Sequence, residues 1–274
     1  MAVPVISIIG TGNMGNSLIS GLINHAHPKE KIWATDVDEN KLAQIESTFH
    51  IHTTTDNLKA VQHADIVILA IKPQLFAEIL PTLSNVLRER GPLVISIAAG
   101  IRTASMVHWL GYPAPIVRAM PNTPALINCG ITALYANSEV TEEQRCKAES
   151  ILNAVGMTVW LTDEKYMDVV TALSGSGPAY FFLMMEAMQN AAVSMGLSPQ
   201  TATQLTVQTA LGAARMAVES GKTLSELRLN VTSKGGTTEK AISVLEENNI
   251  RELFEKALQA AKRRSEELAE TMSP

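Results

Sequence analysis

The sequence predicts an α/β chain in which a doubly wound parallel sheet over residues 1–163 is followed by an all-helical domain over residues 164–274. Short, nearly continuous apolar runs alternate with helical stretches as far as residue 120, and beyond about residue 163 no strand-like run recurs. Strands that are apolar on both sides need helices over both faces, the setting of parallel sheets. Regular alternation of strand and helix is the pattern of α/β domains. Length agrees, because 274 residues divide comfortably into two domains. A chain of this size buries about three quarters of its unfolded surface and needs no disulfide or metal to hold a core. With 46% hydrophobic but only 4% aromatic residues, that core is built of Ala, Val, Ile, Leu and Met.

Residues 5–9 (VISII) read as the first strand and residues 13–25 as the first helix. Residues 31–35 form the second strand, and a helix opens at Asp38, whose side chain suits an N-cap. A short strand lies near His50 and His52, residues 65–70 and 93–97 are the fourth and fifth strands, and residues 115–120 add another. In the second domain a helix spans 178–195, with Pro178 in its first turn and Gly196 past its end. Further helices run from Ser198 to near Gly221, after Gly235 and Gly236, and from Ile250 to about Met272. The last one carries Leu253, Phe254, Ala257, Leu258, Ala261 and Leu268 on one face, with Glu, Lys and Arg opposite. The helix at 178–195 is apolar nearly all round, but Glu186, Gln189, Asn190 and Ser194 give it a polar stripe. Lipid does not tolerate such a stripe unpartnered, so a helix shared between subunits is expected there rather than a membrane span.

Composition excludes other classes. The net charge of −5 leaves no basic surface of the kind that displaces counterions from nucleic-acid phosphates. Cys129 and Cys146 form neither a framework nor a CxxC pair, which fits a reducing compartment. The opening MAVPVI has no basic segment before its apolar run and is not expected to be a signal peptide. A cytoplasmic location is therefore expected. His25/His27 and His50/His52 resemble ligand pairs, but no Cys or Glu cluster accompanies them, and no metal site is expected. Phosphate-loop, nucleophile-elbow and HExxH patterns are absent from the sequence.

The chemistry concentrates in short glycine-rich segments. Gly10-Thr11-Gly12-Asn13-Met14-Gly15 follows a strand and opens a helix, the context of a Rossmann-type dinucleotide-binding turn. Gly10 makes the turn, Gly12 admits a pyrophosphate to the backbone, and Gly15 lets helix and strand pack closely. The pyrophosphate then meets the N–H groups and positive dipole end of the helix. Asp36, at the end of the second strand, is either a ribose-hydroxyl acceptor or a turn aspartate. Ala70-Ile71-Lys72-Pro73 and Ile97-Ala98-Ala99 end the fourth and fifth strands, where ligands of open parallel sheets bind. Met120–Ala125 (MPNTPA), Ser174–Tyr180 (SGSGPAY) and Ser233–Thr238 (SKGGTT) combine small residues with hydroxyls, and the last two precede helices. Helix starts loosened by glycine are fitted to a small anion, although ordinary capping uses the same residue types.

In the order GTGNMG, AIKP, SIAAGI, RAMPNTPALI, SGSGPAY and SKGGTTEKAI, these segments resemble the pyrroline-5-carboxylate reductases, and the resemblance runs from Ile6 to about the last helix. It implies reduction of 1-pyrroline-5-carboxylate to L-proline by NAD(P)H, the last step of proline biosynthesis. It also implies a helical half that builds a homodimer, with dimers assembling further. By motif position the cofactor falls on Gly10, Thr11, Gly12, Asn13, Met14, Gly15, Asp36, Asn57, Ala70, Ile71, Lys72, Pro73, Ile97, Ala98, Ala99 and Asn122. The substrate falls on Ser174, Gly175, Ser233, Gly235, Gly236, Thr237 and Thr238, with the Thr238 hydroxyl at the imine nitrogen as the catalytic contact. The chain departs from the family pattern at Lys234, where proline is usual, at Leu229, where Asp is common, and at Asp36, where a small hydroxyl residue often accommodates a 2′-phosphate. Asp36 therefore points toward NADH use.

Reduction of C=N suits a helical half without histidine. An imine nitrogen is basic enough to carry its own proton, so positioning is the main catalytic contribution. A 3-hydroxyacid dehydrogenase-like enzyme shares the Gly-rich turn but relies on a lysine in a helix of its second domain, and SGSGPAYFFLMMEAMQN contains none. A non-catalytic NAD(P)-sensing protein would have no use for the SGSGPAY and GGTT segments.

Overall fold

One sheet of eight strands organises the N-terminal part of the chain in the computed structural model, which describes residues 3–274. The strands are β1 (Ile6–Ile9), β2 (Ile32–Thr35), β3 (His52–Thr54), β4 (Ile66–Leu69), β5 (Leu93–Ser96), β6 (Ile116–Met120), β7 (Gly130–Ala136) and β8 (Gly156–Trp160). Their order is β3-β2-β1-β4-β5-β6-β7-β8. All neighbours run parallel except β6 and β7, which are antiparallel. Helices α1 (Asn13–Asn24), α2 (Glu39–Phe49), α3 (Asn57–Val61), α4 (Phe76–Arg90), α5 (Thr103–Leu110) and α6 (Glu142–Leu152) cover the two faces.

The two-residue side-chain period of the strands sorts the core. Ile6, Ile8, Ile66, Ile68 and Ile95 point to one face, where Leu18, Ile19 and Leu22 of α1 and Ile151 and Leu152 of α6 cover them. Ile9, Val67, Leu69 and Val94 point to the other, against Phe76, Leu80, Leu83 and Leu87 of α4 and Met106 and Leu110 of α5. Chain order reverses at β1, whose Ile6 pairs with Ile32 on one side and Ile66 on the other. A crevice at such a switch point is where open α/β sheets bind ligands.

Strands β7 and β8 and helix α6 have no counterpart in the sequence reading, which ends its strands at Met120. After β6 the chain turns back through β7, and the crossover through α6 brings β8 to the edge. Gly156 has φ +145°, and a side chain there would overlap the backbone of Gly130, so the pair starts where two glycines meet.

The C-terminal helices are α7 (Tyr166–Val170), followed by a π-helical turn (Thr171–Gly175), then α8 (Gly177–Ser194), α9 (Pro199–Glu219), α10 (Leu224–Asn230), α11 (Thr237–Glu247) and α12 (Ile250–Thr271). Helix α10 is also absent from the sequence reading, and its start is fixed by a Thr223/Glu226 capping box. Ser198 caps α9 through the Thr201 N–H, with Pro199 in the first turn.

By compactness the chain divides into residues 1–176 with 261–274, and residues 177–260. The pattern boundary expected at 163/164 lies inside the first unit. Buried polar contacts give the reason. Glu164 accepts from Thr103 N–H (2.8 Å) and Oγ1 (2.7 Å) at the start of α5 and pairs with the buried Arg118 guanidinium at 3.2 Å. Asp168 accepts from Ser265 Oγ of α12 at 2.6 Å, both side chains being buried. Among the described residues, no helix is long and apolar enough to cross a membrane. Phe181, Phe182 and Leu183 of α8 are each more than 60% exposed in the single chain.

Candidate functional site

Two of the three glycines of the first turn are required by the packing. Gly10 has φ +99°, and a Cβ there would sit 2.5 Å from the Ala70 carbonyl oxygen. A Cβ on Gly15 would overlap the carbonyl of Gly10. Gly12 differs, because a Cβ on it would meet nothing within 4 Å. Packing does not need a glycine there. The space in front of that backbone is open, as close approach of a pyrophosphate requires, so these residues fit the dinucleotide.

Helix capping agrees. Helices α2 and α3 are closed by the side chains of Asp38 and Asp56, and α6, α9 and α10 by Thr141, Ser198 and Thr223. Helix α1, like α4 and α5, has no side-chain cap; it starts on Gly12, with no acidic residue in its first turn. Its free N–H groups and dipole are left for an anion.

A cleft of about 340 Å³ runs from this turn along the strand ends, lined among others by Gly10, Gly12, Asp36, Asn57, Ala70, Ile71 and Lys72. It gathers much of the cofactor set. It also holds Lys41, and it adds Val37, Thr55, Leu75 and Ile79, which the sequence reading did not place there. Val37 is 95% exposed, and nothing in the sequence pattern marks it. Pro73 opens the turn after Lys72. Ala98 is buried, its N–H on Ser96 Oγ at 3.3 Å, and Ile97 donates to the Leu69 carbonyl at 3.2 Å.

Asp36 is tied into the turn. Its Oδ2 accepts from Thr11 N–H (3.0 Å) and Thr11 Oγ1 (2.7 Å), and its Oδ1 accepts from Asp38 N–H (3.1 Å). Burial pushes the Asp36 carboxyl up. The Thr11 and Asp38 donors and the Lys41 charge outweigh this and hold it below the usual carboxylate value. Thr35 donates from Oγ1 to Asn57 Oδ1 at 2.6 Å, and its carbonyl accepts the Gly10 N–H at 2.8 Å.

Other predicted residues have structural partners. Asn122 Oδ1 accepts the Ile131 N–H at 3.0 Å and so holds the start of β7. Ser174 donates to the Val170 carbonyl at 3.1 Å within the π-helical turn, an irregularity frequent at functional sites. A Cβ on Gly175 would sit 2.6 Å from the Met120 methyl, so this glycine brings SGSGPAY and MPNTPA together.

In the second unit α11 starts on Gly236, again without a side-chain cap. Gly235, at φ +75°, donates to Glu239 Oε2 at 2.7 Å, and Gly236 donates to the Ser233 carbonyl at 3.0 Å. The N–H groups left for a ligand are those of the first turn, at Thr237, Thr238 and Glu239. Thr238 itself is half-buried. Among the described residues, no three His, Cys, Asp or Glu side chains gather as metal ligands.

The sheet, its switch point and the uncapped Gly-rich turn define a dinucleotide-binding protein of the Rossmann type. Residues 5–100 match the family described as NADP oxidoreductase, coenzyme F420-dependent, and residues 164–268 match the family described as pyrroline-5-carboxylate reductase dimerisation. The pyrroline-5-carboxylate reductase of Pseudomonas aeruginosa is 48% identical over 272 residues, covering 99% of each chain. The solved structure of a pyrroline-5-carboxylate reductase from Coxiella burnetii superposes with a TM-score of 0.94 at 46% identity, over 98% of this chain and 99% of that one. That of the Plasmodium falciparum enzyme, solved with NADP bound, gives 0.87 at 28% identity, over 98% of this chain and 99% of that one. The chain belongs to the pyrroline-5-carboxylate reductase family.

Proposed function

We propose that this chain reduces 1-pyrroline-5-carboxylate to L-proline at the expense of NAD(P)H, the closing step of proline biosynthesis. The observation that carries the reading is the full-length similarity, 48% identity across 99% of the chain, to an enzyme of that name. Neither a 3-hydroxyacid dehydrogenase-like enzyme nor a non-catalytic NAD(P) sensor is favoured beside it.

When bound, the reduced nicotinamide supplies the hydride that ring carbon C5 of the imine accepts. The chain's own residues bind and orient. Gly12 and the first turn of α1 receive the pyrophosphate; Asp36 and Asn57 lie toward the adenosine half. Ala70 to Pro73, Ile97 to Ala99 and Asn122 border the cofactor. The start of α11, whose turn is shaped by Ser233, Gly235 and Gly236, holds the substrate carboxylate through the free N–H groups of its first turn, from Thr237 on. Thr238 Oγ1 orients the ring nitrogen, with Ser174 and Gly175 beside the substrate. Asp36 favours NADH, because its carboxylate accepts a hydrogen bond from a ribose 2′-hydroxyl and repels a 2′-phosphate.

The chain works as a homodimer, or an assembly of dimers, through its helical domain of residues 164–274. The dimerisation match and the exposed apolar side chains of α8 support this. Its place is the cytoplasm, in keeping with two exposed free cysteines. The test is to incubate purified protein with pyrroline-5-carboxylate and each reduced nicotinamide while following nicotinamide absorbance. Proline formation with stoichiometric oxidation supports the activity, and no oxidation with either cofactor refutes it.

A further inference from the structure

Asp36 is three contacts deep in the Gly-rich turn. A carboxylate offers about four lone-pair sites, and three are taken by Thr11 N–H, Thr11 Oγ1 and Asp38 N–H. One direction remains for a ribose hydroxyl. Thr11 is itself 3% exposed, and its hydroxyl is committed to Asp36. The hydroxyl donates to Asp36 Oδ2 at 2.7 Å, and the cleft that Asp36 lines does not include Thr11.

We propose that Thr11 is a cofactor-specificity residue acting through Asp36: its hydroxyl anchors the carboxylate in the position that accepts a ribose 2′-hydroxyl and obstructs a 2′-phosphate. The proposal rests on the NADH reading given above and supplies its mechanism. A 2′-phosphate disfavours the carboxylate where it stands. Were Asp36 free to swing on χ1, the phosphate would merely displace it. Because moving Asp36 breaks two bonds to Thr11, NADPH binding carries the loss of both, one of which comes from the hydroxyl. NADH leaves all three contacts in place. The hydroxyl thus widens the gap between the two cofactors without touching either.

Three variants separate the possibilities. Thr11→Val removes the hydroxyl at nearly constant volume and keeps the backbone N–H; Thr11→Ser keeps the hydroxyl; Asp36→Ser removes the carboxylate. Dissociation constants of NADH and NADPH are measured by calorimetric titration of the purified protein, alongside kcat/KM for each and a cofactor-free melting curve. A hydrogen bond to a charged group predicts that Thr11→Val lowers the NADH-over-NADPH affinity ratio by about tenfold, with Thr11→Ser close to wild type. An unmoved ratio in Thr11→Val while Asp36→Ser shifts it overturns the proposal and leaves the NADH reading standing. An unmoved ratio in Asp36→Ser overturns both. If Thr11→Val melts too low to titrate, Thr11→Ala takes its place with the same expected ratio.

Discussion

Gly12 and Gly15 lie three residues apart and respond oppositely to a side chain. A Cβ on Gly12 meets nothing within 4 Å, whereas one on Gly15 overlaps the Gly10 carbonyl. Gly12→Val is therefore expected to fold with an unchanged melting temperature and to lose dinucleotide binding, since the new side chain fills the pyrophosphate's place. Gly15→Ala is expected to lose about 1–3 kcal/mol of stability, the usual cost of forcing an extra carbon into a closed contact. Melting curves and NADH titration of both variants check the pair; unchanged NADH affinity in Gly12→Val would place the pyrophosphate elsewhere. Thr238→Ala is expected to lower kcat/KM about tenfold to a hundredfold, the worth of one hydrogen bond to a charged group, with cofactor affinity unchanged. Wild-type kcat/KM in that variant moves the imine contact to another residue.

Asp36 carries a pH dependence with a definite sign. Its folded-state value lies below the ordinary 3.8, so its contribution to stability is present above that pH and is lost as pH falls through the folded value. The difference in melting temperature between wild type and Asp36→Asn should be present at pH 6 and shrink in the acid range below about pH 4. A constant difference across that range would mean that the charge of Asp36 contributes nothing.

At the scale of elements, strands buried on both faces were the legible ones. β1, β4 and β5 are four-residue runs with every residue buried, and their sequences are apolar apart from Ser7 and Ser96. β7 and β8 were not legible in the same way. In β8 the exposures alternate between half-buried and exposed, so Gly156–Trp160 (GMTVW) carries no continuous apolar run. Periodicity alone does not distinguish a short edge strand of this kind from a loop. The turn at Gly10 to Gly15 was legible because close packing dictates Gly10 and Gly15 and an approaching pyrophosphate dictates Gly12, while the exposed Val37 was not, because no packing rule points to it. The Arg118–Glu164 pair was illegible for another reason: its residues are far apart in sequence and their charges read as surface. With the Arg118 side chain 3% exposed, removing Glu164 leaves a buried charge unpaired. Glu164→Ala is expected to cost about 3–5 kcal/mol in urea unfolding. Replacing both residues by Met should cost less than Glu164→Ala alone, and a larger cost for the double variant would show that the pair contributes net stability.

For the whole molecule, the decisive feature is an 18-residue helix in which only Gly177 is buried. In the single chain α8 presents Phe181, Phe182, Leu183, Met184 and Met188 to solvent at 36–65% exposure. Exposed apolar surface this continuous marks an interface, and the match of residues 164–268 to a dimerisation family supports the proposal that a second copy of the chain covers it. Obligate homodimers bury more than about 2,000 Å² of largely apolar surface, and burying a Met side chain in such an interface is worth about 1.5–3 kcal/mol. A lysine at such a position loses that gain and also brings an unpaired charge into the contact. Met184→Lys with Met188→Lys is therefore expected to shift the protein from oligomer to monomer or aggregate in sedimentation velocity. The sheet domain is held by its own core and should keep dinucleotide binding in the monomer. An intact oligomer in the double variant would show that α8 lies outside the interface.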